Sequence, residues 1–258
     1  MKQYLHIAFS FLTILAQGKE YSDTVMQKSI YFYPFVGAIL FFLACIISLV
    51  SLTVLDNYLF SALVFLCCEC ILTRGLHHDG LADIADAMGS EKKGDEFRII
   101  LKDSRIGSFG VIVLIFYFLF GIILLSQLIE LNDKADNIYD FVPQMLFAGC
   151  WSRLGLLALP LISTYYEPKD HKISLAKILF ANFQAKYFFS WYLVIFFIST
   201  VYFNTTLPIL CTSFSFLFTL PLYKLAKREN GYNGDFLGAN CLLWELAAFL
   251  SLLLFCQP

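Results

Sequence analysis

The sequence predicts an all-α polytopic membrane protein, and three observations carry that expectation. Hydrophobic residues make up 59% of the 258 positions and charged residues only 15%, whereas soluble domains run nearer half and a quarter. Apolar runs approaching the roughly 20 residues that a helix needs to cross a bilayer recur at about 32–55, 57–73, 109–129, 141–162, 187–203, 207–223 and 237–257. With seven spans and the amino terminus inside, all eighteen lysines and arginines except Lys134 and Arg153 fall on the inner side. That asymmetry follows the excess of positive charge in cytoplasmic loops.

Taken in order, the segment KQYLHIAFSFLTILAQGK has too short an apolar core to span and precedes further spans. It reads as an uncleaved helix that lies at the interface or re-enters it, rather than a signal peptide. The second and sixth spans are short, which suits tilted or broken helices. Inner segments hold Lys2, Lys19 and Lys28; then Arg74, Lys92, Lys93, Arg98, Lys102 and Arg105; then Lys169, Lys172, Lys177 and Lys186; and last Lys224, Lys227 and Arg228. Lys134 stands outside among Glu130, Asp133, Asp136 and Asp140. No repeat or Pro/Gly/Ser-rich linker divides the chain, so residues 1–258 read as one integral membrane domain. A net charge of −2 without a basic, aromatic-interleaved stripe argues against a nucleic-acid partner. The CCEC run at 67–70 falls inside a span and reads as small core residues, not zinc ligands.

Acid chemistry concentrates in RGLHHDGLADIADAM, residues 74–88. As a helix, 76–88 places Asp79, Asp83 and Asp86 at i, i+4 and i+7, a narrow arc of one face. Carboxylates about 6 Å apart repel by about 3 kcal/mol per pair at an effective dielectric of 20, and by under 1 kcal/mol in water. A solvated stripe is therefore harmless, but one in a partly dry cleft needs a cation or retained protons. The intervening Gly80, Leu81, Ala82, Ile84 and Ala85 suit a packed helix, and the basic residues come later in the chain. Both features favour a metal–phosphate site over a solvated face, and oxygen-only donors suit magnesium. His77 and His78 fit a general base, a phosphate contact or a structural hydrogen bond alike.

Two further inner segments have glycine-rich entries to helices. In ILKDSRIGSFG, residues 100–110, the glycines and Ser104 and Ser108 leave N–H groups near a helix start, which favours anions. Lys102 and Arg105 add positive charge, and Arg105 suits bidentate phosphate binding; a membrane flank is the plainer reading of Lys102 alone, whereas for the unit with Asp103, Ser104 and Arg105 a capped flank and a phosphate site stand level. In ENGYNGDFLGAN, residues 229–240, Gly234 opens the last span, and Asp235 is a helix cap, a metal ligand or a base. Charges within spans are functional candidates. Arg153 and Glu245 lie at similar depth, as an ion pair or the floor of a cytoplasm-facing polar cavity whose wall Glu69 joins. Arg153 equally suits a substrate phosphate.

GLHHDGLADIADAMG, LKDSRIGSFG and GYNGDFLGA, together with FLTIL and YPFVGAIL near the start, resemble cobalamin synthase, the adenosylcobinamide-GDP ribazoletransferase family. The likeness covers nearly the whole chain. Ala87 stands where the family has glycine, His78 where it is usually apolar and Asn233 where it has threonine, and an ARPxGLG-like run is absent around 163–175. The resemblance implies a prokaryotic plasma-membrane enzyme with its amino terminus and active-site loops in the cytoplasm. It would join adenosylcobinamide-GDP to α-ribazole or α-ribazole 5′-phosphate, with magnesium, and release GMP. On that reading Asp79, Asp83, Asp86 and Asp235 hold Mg2+, and His77 or a metal-free aspartate takes a proton. Lys102 and Arg105 hold the GMP phosphate within the KDSR unit. Another magnesium-dependent phosphotransferase or prenyltransferase is disfavoured by the lack of D-G-x2-A-R and DDxxD runs. A transporter is disfavoured because the polarity collects in loops rather than at the midplane.

Overall fold

The computed structural model describes residues 1–19, 21–166 and 175–257. Lys169 and Lys172, placed by the sequence reading in the third inner segment, lie outside the described residues. Among the described residues twelve α-helices follow one another: α1 (Lys2–Leu12), α2 (Asp23–Ser29), α3 (Tyr33–Leu55), α4 (Tyr58–Leu72), α5 (Leu76–Gly89), α6 (Asp95–Ile100), α7 (Ser108–Lys134), α8 (Phe141–Ile162), α9 (Leu175–Phe180), α10 (Ala185–Phe203), α11 (Thr206–Arg228) and α12 (Gly234–Cys256). Among the described residues the only β pairing is an isolated bridge between Tyr165 and Tyr232.

Among the described residues six helical segments are long and apolar enough to cross a membrane, and a seventh is available if α4 and α5 are counted as one bent span. The expected second span is thus shorter than the others: α4 has 15 residues, about 22 Å of rise against a hydrocarbon core of about 30 Å. The chain then turns by 91° into α5. Arg74 and Gly75 both adopt left-handed backbone angles at the corner, a conformation glycine accepts without steric cost. The amino-terminal α1 has only 11 residues, and the Ile14 N–H donates to the Leu72 carbonyl at 2.9 Å, tying this segment to the end of α4.

α8 and α12 are mostly buried and form the centre of the bundle. α3 crosses α8 where Gly37 and Gly149 place the two backbones in direct contact, the small-residue approach typical of membrane helices. Outward faces are apolar instead: Phe116, Leu119 and Phe120 on α7 and Phe197, Ile198 and Val201 on α10 are all exposed. Such continuous apolar belts suit lipid rather than water. The architecture is that of a polytopic membrane protein, as the composition predicts.

Candidate active site at one end of the bundle

The acidic stretch folds as α5, whose buried face carries His77, His78, Leu81, Ala82, Ile84 and Ala87. Asp79 is exposed, and Asp83 and Asp86 are half-buried on the opposite side. The stripe read from the spacing is therefore present. α5 lies directly on the start of α12: a Cβ on Gly80 would stand 2.8 Å from the Asp235 carbonyl oxygen. Only a residue without a side chain permits this approach, and it brings Asp235 beside the stripe. Asn233 caps α12, its side chain accepting from the Phe236 N–H and donating to Asp235 Oδ2 at 2.7 Å.

Asp86 faces the beginning of α7. Its two oxygens accept hydrogen bonds from the Gly107 N–H at 2.7 Å and the Gly110 N–H at 2.8 Å. The helix start expected to receive a phosphate thus receives an anion from the protein itself. The close approach of Gly107 and Gly110 to Asp86 makes this possible.

Two concavities open at the two ends of α5. The first, about 480 Å³, is lined by Asp83, Asp86, Asp103, Arg105, Gly107 and Ser108, among others. Arg105 grips Asp103 through Nη2 at 2.6 Å and Nε at 3.0 Å, and this holds the exposed Asp103 carboxyl low, at about 2. The second, about 190 Å³, has Asp79, Asp235, His77 and Gly234 at its border with largely apolar walls. Desolvation, and after it the carboxylates of Asp235, Asp79 and Asp86, push the Asp83 carboxyl from an ordinary 3.8 up to about 7. Each neighbouring charge that acts on Asp83 in that balance is another acid.

These oxygen donors, gathered without a cation among them, fit a hard divalent ion. They do not form a cage. Among the described residues no three His, Cys, Asp or Glu side chains converge as a preformed metal site. The expected four-aspartate set is a row instead: at 1.5 Å of rise per residue, Asp79 and Asp86 stand about 10 Å apart along the helix. Magnesium commonly keeps water and takes one or two carboxylates plus substrate phosphate oxygens, so the row suits a metal shared with a diphosphate.

The sequence profile of the cobalamin-5-phosphate synthase family matches residues 4–253. The chain belongs to this family. An adenosylcobinamide-GDP ribazoletransferase of Nitratidesulfovibrio vulgaris (strain DSM 19637 / Miyazaki F) is 30% identical over 257 residues, covering 97% of this chain and 94% of its own length. One from Polaromonas sp. (strain JS666 / ATCC BAA-500) is 29% identical, covering 92% and 89%. One from Prosthecochloris aestuarii is 38% identical over 123 residues, covering 47% and 48%. No solved structure matches.

In this member of the cobalamin-5-phosphate synthase family, the predicted site residues divide into three groups. Asp83, Asp86, Asp103 and Arg105 line the larger cleft, whereas His77, Asp79, Gly234 and Asp235 line the smaller one. Lys102 and Ser104 are exposed on the same loop but do not line the cleft. Arg153 is a correction. It is fully buried, and its Nη2 meets Glu69 at 2.6 Å and its Nη1 meets Glu245 at 3.2 Å. That guanidinium neutralises carboxylates within the bundle instead of facing a substrate; of the two roles its depth allowed, the ion pair holds.

Residues that sequence reading did not single out support the site from below. Arg98 is buried, and its Nη2 donates to the carbonyls of Glu229 at 2.7 Å and Gly231 at 2.6 Å. The Glu229 carboxylate accepts from the Gly94 N–H at 2.7 Å. Together they shape the loop that delivers Asp235. Nothing local in DEFRII marks Arg98, because its partners are backbone carbonyls more than a hundred positions away.

Proposed function

We propose that the protein is a membrane-bound transferase that joins adenosylcobinamide-GDP to α-ribazole or its 5′-phosphate and releases GMP, a step of cobalamin synthesis. The distribution of lysine and arginine supports an active site on the cytoplasmic face of a prokaryotic plasma membrane. One observation carries the reading most directly. In a chain of the cobalamin-5-phosphate synthase family, α5, the 102–110 loop and the start of α12 bring Asp79, Asp83, Asp235 and Arg105 to one end of the bundle.

In the reaction, a hydroxyl oxygen of the ribazole ribose bonds to the phosphorus attached to cobinamide. The bond from that phosphorus to the bridging oxygen breaks, and GMP leaves with the oxygen. Phosphoryl transfer of this kind depends mainly on positioning and on neutralising charge. Asp79, Asp83 and Asp235 would hold magnesium, with Asp86 fixing α5 against α7. Bound there, magnesium supplies charge neutralisation for the diphosphate. Arg105 reaches the phosphate of the departing GMP by exchanging its partner Asp103 for the ligand, which suits its planar fork. The hydroxyl proton passes to His77 or to Asp79, which border the same concavity.

The test is direct. The purified protein in lipid is supplied with magnesium, adenosylcobinamide-GDP and α-ribazole 5′-phosphate. Equal appearance of GMP and of the joined corrinoid is expected, with loss on chelation and recovery on adding magnesium. GMP without joining would identify a hydrolase and overturn the proposal.

A further inference from the structure

The two concavities flanking the acidic row differ chemically, and the difference assigns them. The larger one carries Arg105 and three acids, Asp83, Asp86 and Asp103, and is open at the surface. The smaller one is walled by Phe11, Tyr33, Leu156, Phe180 and Leu237, and among the described residues no lysine or arginine lines it. His77 is 2% exposed there, and its Nε2 has no hydrogen-bond partner. Buried polar atoms are nearly always partnered in folded proteins; this imidazole nitrogen, closed off beside the cavity, keeps its hydrogen-bonding capacity unused among the described residues. Apolar walls with a few placed polar groups are the usual makeup of a small-molecule subsite.

In-line displacement puts the attacking and leaving oxygens on opposite sides of the phosphorus. The row of aspartates runs between the two concavities, with Asp79 at one and Asp83 and Asp86 at the other. We propose that the smaller concavity is the acceptor subsite, which takes the flat bicyclic base of the ribazole and lets His77 orient the nucleoside. This assignment rests on the transferase reading above. The GMP half of the donor then occupies the Arg105 cleft, and the reacting phosphorus lies over the row between them. A corrin macrocycle is far too large for a space of about 190 Å³, so the corrinoid stays outside it.

Leu156→Trp fills the subsite and Ala176→Leu narrows it. Steady-state kinetics in lipid, varying each substrate in turn, should show KM for α-ribazole rising about tenfold or more in Leu156→Trp, with KM for adenosylcobinamide-GDP within about twofold. Ala176→Leu should move the same parameter less, and it serves alone if the tryptophan variant does not fold. His77→Phe should raise KM for α-ribazole, and His77→Gln should restore part of it. A rise in the donor KM instead, or no change in either, overturns the assignment. Equilibrium binding of α-ribazole alone separates the two levels. Binding that Ala176→Leu weakens supports the subsite even if no corrinoid is joined, an outcome that would defeat only the transferase reading. Wild-type binding that neither variant alters defeats the subsite alone.

Discussion

Two groups of acids meet opposite sides of one helix and are treated in opposite ways. Behind α5, Glu69 and Glu245 are fully buried, yet each is answered: Arg153 bonds both, and the Tyr117 hydroxyl donates to Glu245 Oε1 at 2.6 Å. His78 reaches back to within 3.8 Å of Glu69. In front, the charges acting on Asp83 are those of Asp235, Asp79 and Asp86, and desolvation with them pushes its carboxyl up to about 7, whereas Asp235 also has the Asn233 amide and the attraction of Arg98. Neighbouring positions, His78 and Asp79, belong to different groups. The contrast teaches that compensation separates architecture from chemistry here. Carboxylates that join α4, α7, α8 and α12 have protein donors, and those left to repel each other are the ones that a cation and a diphosphate would complete.

The largest expected effect comes from breaking the compensated group. Arg153→Met leaves two buried carboxylates unpaired and should cost about 3–5 kcal/mol of stability, read as a lowered unfolding transition in detergent. A variant of ordinary stability with an altered donor KM would return Arg153 to the substrate and erase the contrast. Next, Asp83→Ala should lower kcat by on the order of 10²–10³, while unfolding stays unchanged or moves upward because a source of repulsion is removed. Full activity would discard its ligand role.

Gly80→Ala tests the join between the groups. Its methyl would meet the Asp235 carbonyl oxygen at 2.8 Å, and overpacking of this kind costs about 1–3 kcal/mol. Activity should fall together with stability as α5 lifts from α12. The gentlest probe is pH. The folded state holds a proton on Asp83 that the unfolded chain releases near 3.8. This carboxyl therefore favours the folded state at low pH, and that contribution is lost as pH rises toward about 7. Magnesium affinity should run the other way and weaken as pH falls through about 7, because a proton must leave first. Calorimetric titration across that range measures it, and a pH-independent affinity would remove Asp83 from the metal site.

Much of this was legible in the residues. The apolar runs announced the long helices, because a bilayer demands length and apolarity that composition reports directly. The i, i+4, i+7 spacing of Asp79, Asp83 and Asp86 announced a one-sided acidic helix, which Leu76–Gly89 is. Less legible was the glycine-rich start of α7, which read as a phosphate site. Helix starts attract any anion, and only packing shows that Asp86 already fills this one. The short α4 and its sharp turn at Arg74 and Gly75 were legible as a weak span but not as a right-angled corner.

The amino-acid sequence alone determined the solvent in which the chain folds, the gathering of its acids on one helix face and the suitability of those acids for a metal and a phosphate. All three follow from local composition and spacing. Tertiary structure decided the partners: that Arg153 neutralises Glu69 and Glu245, that Asp86 holds α7, and that the remaining acids divide two unlike concavities. Those outcomes depend on side chains scores of residues apart meeting across helices, where burial makes each charge seek an opposite or hold a proton, and no local pattern records which neighbour it finds.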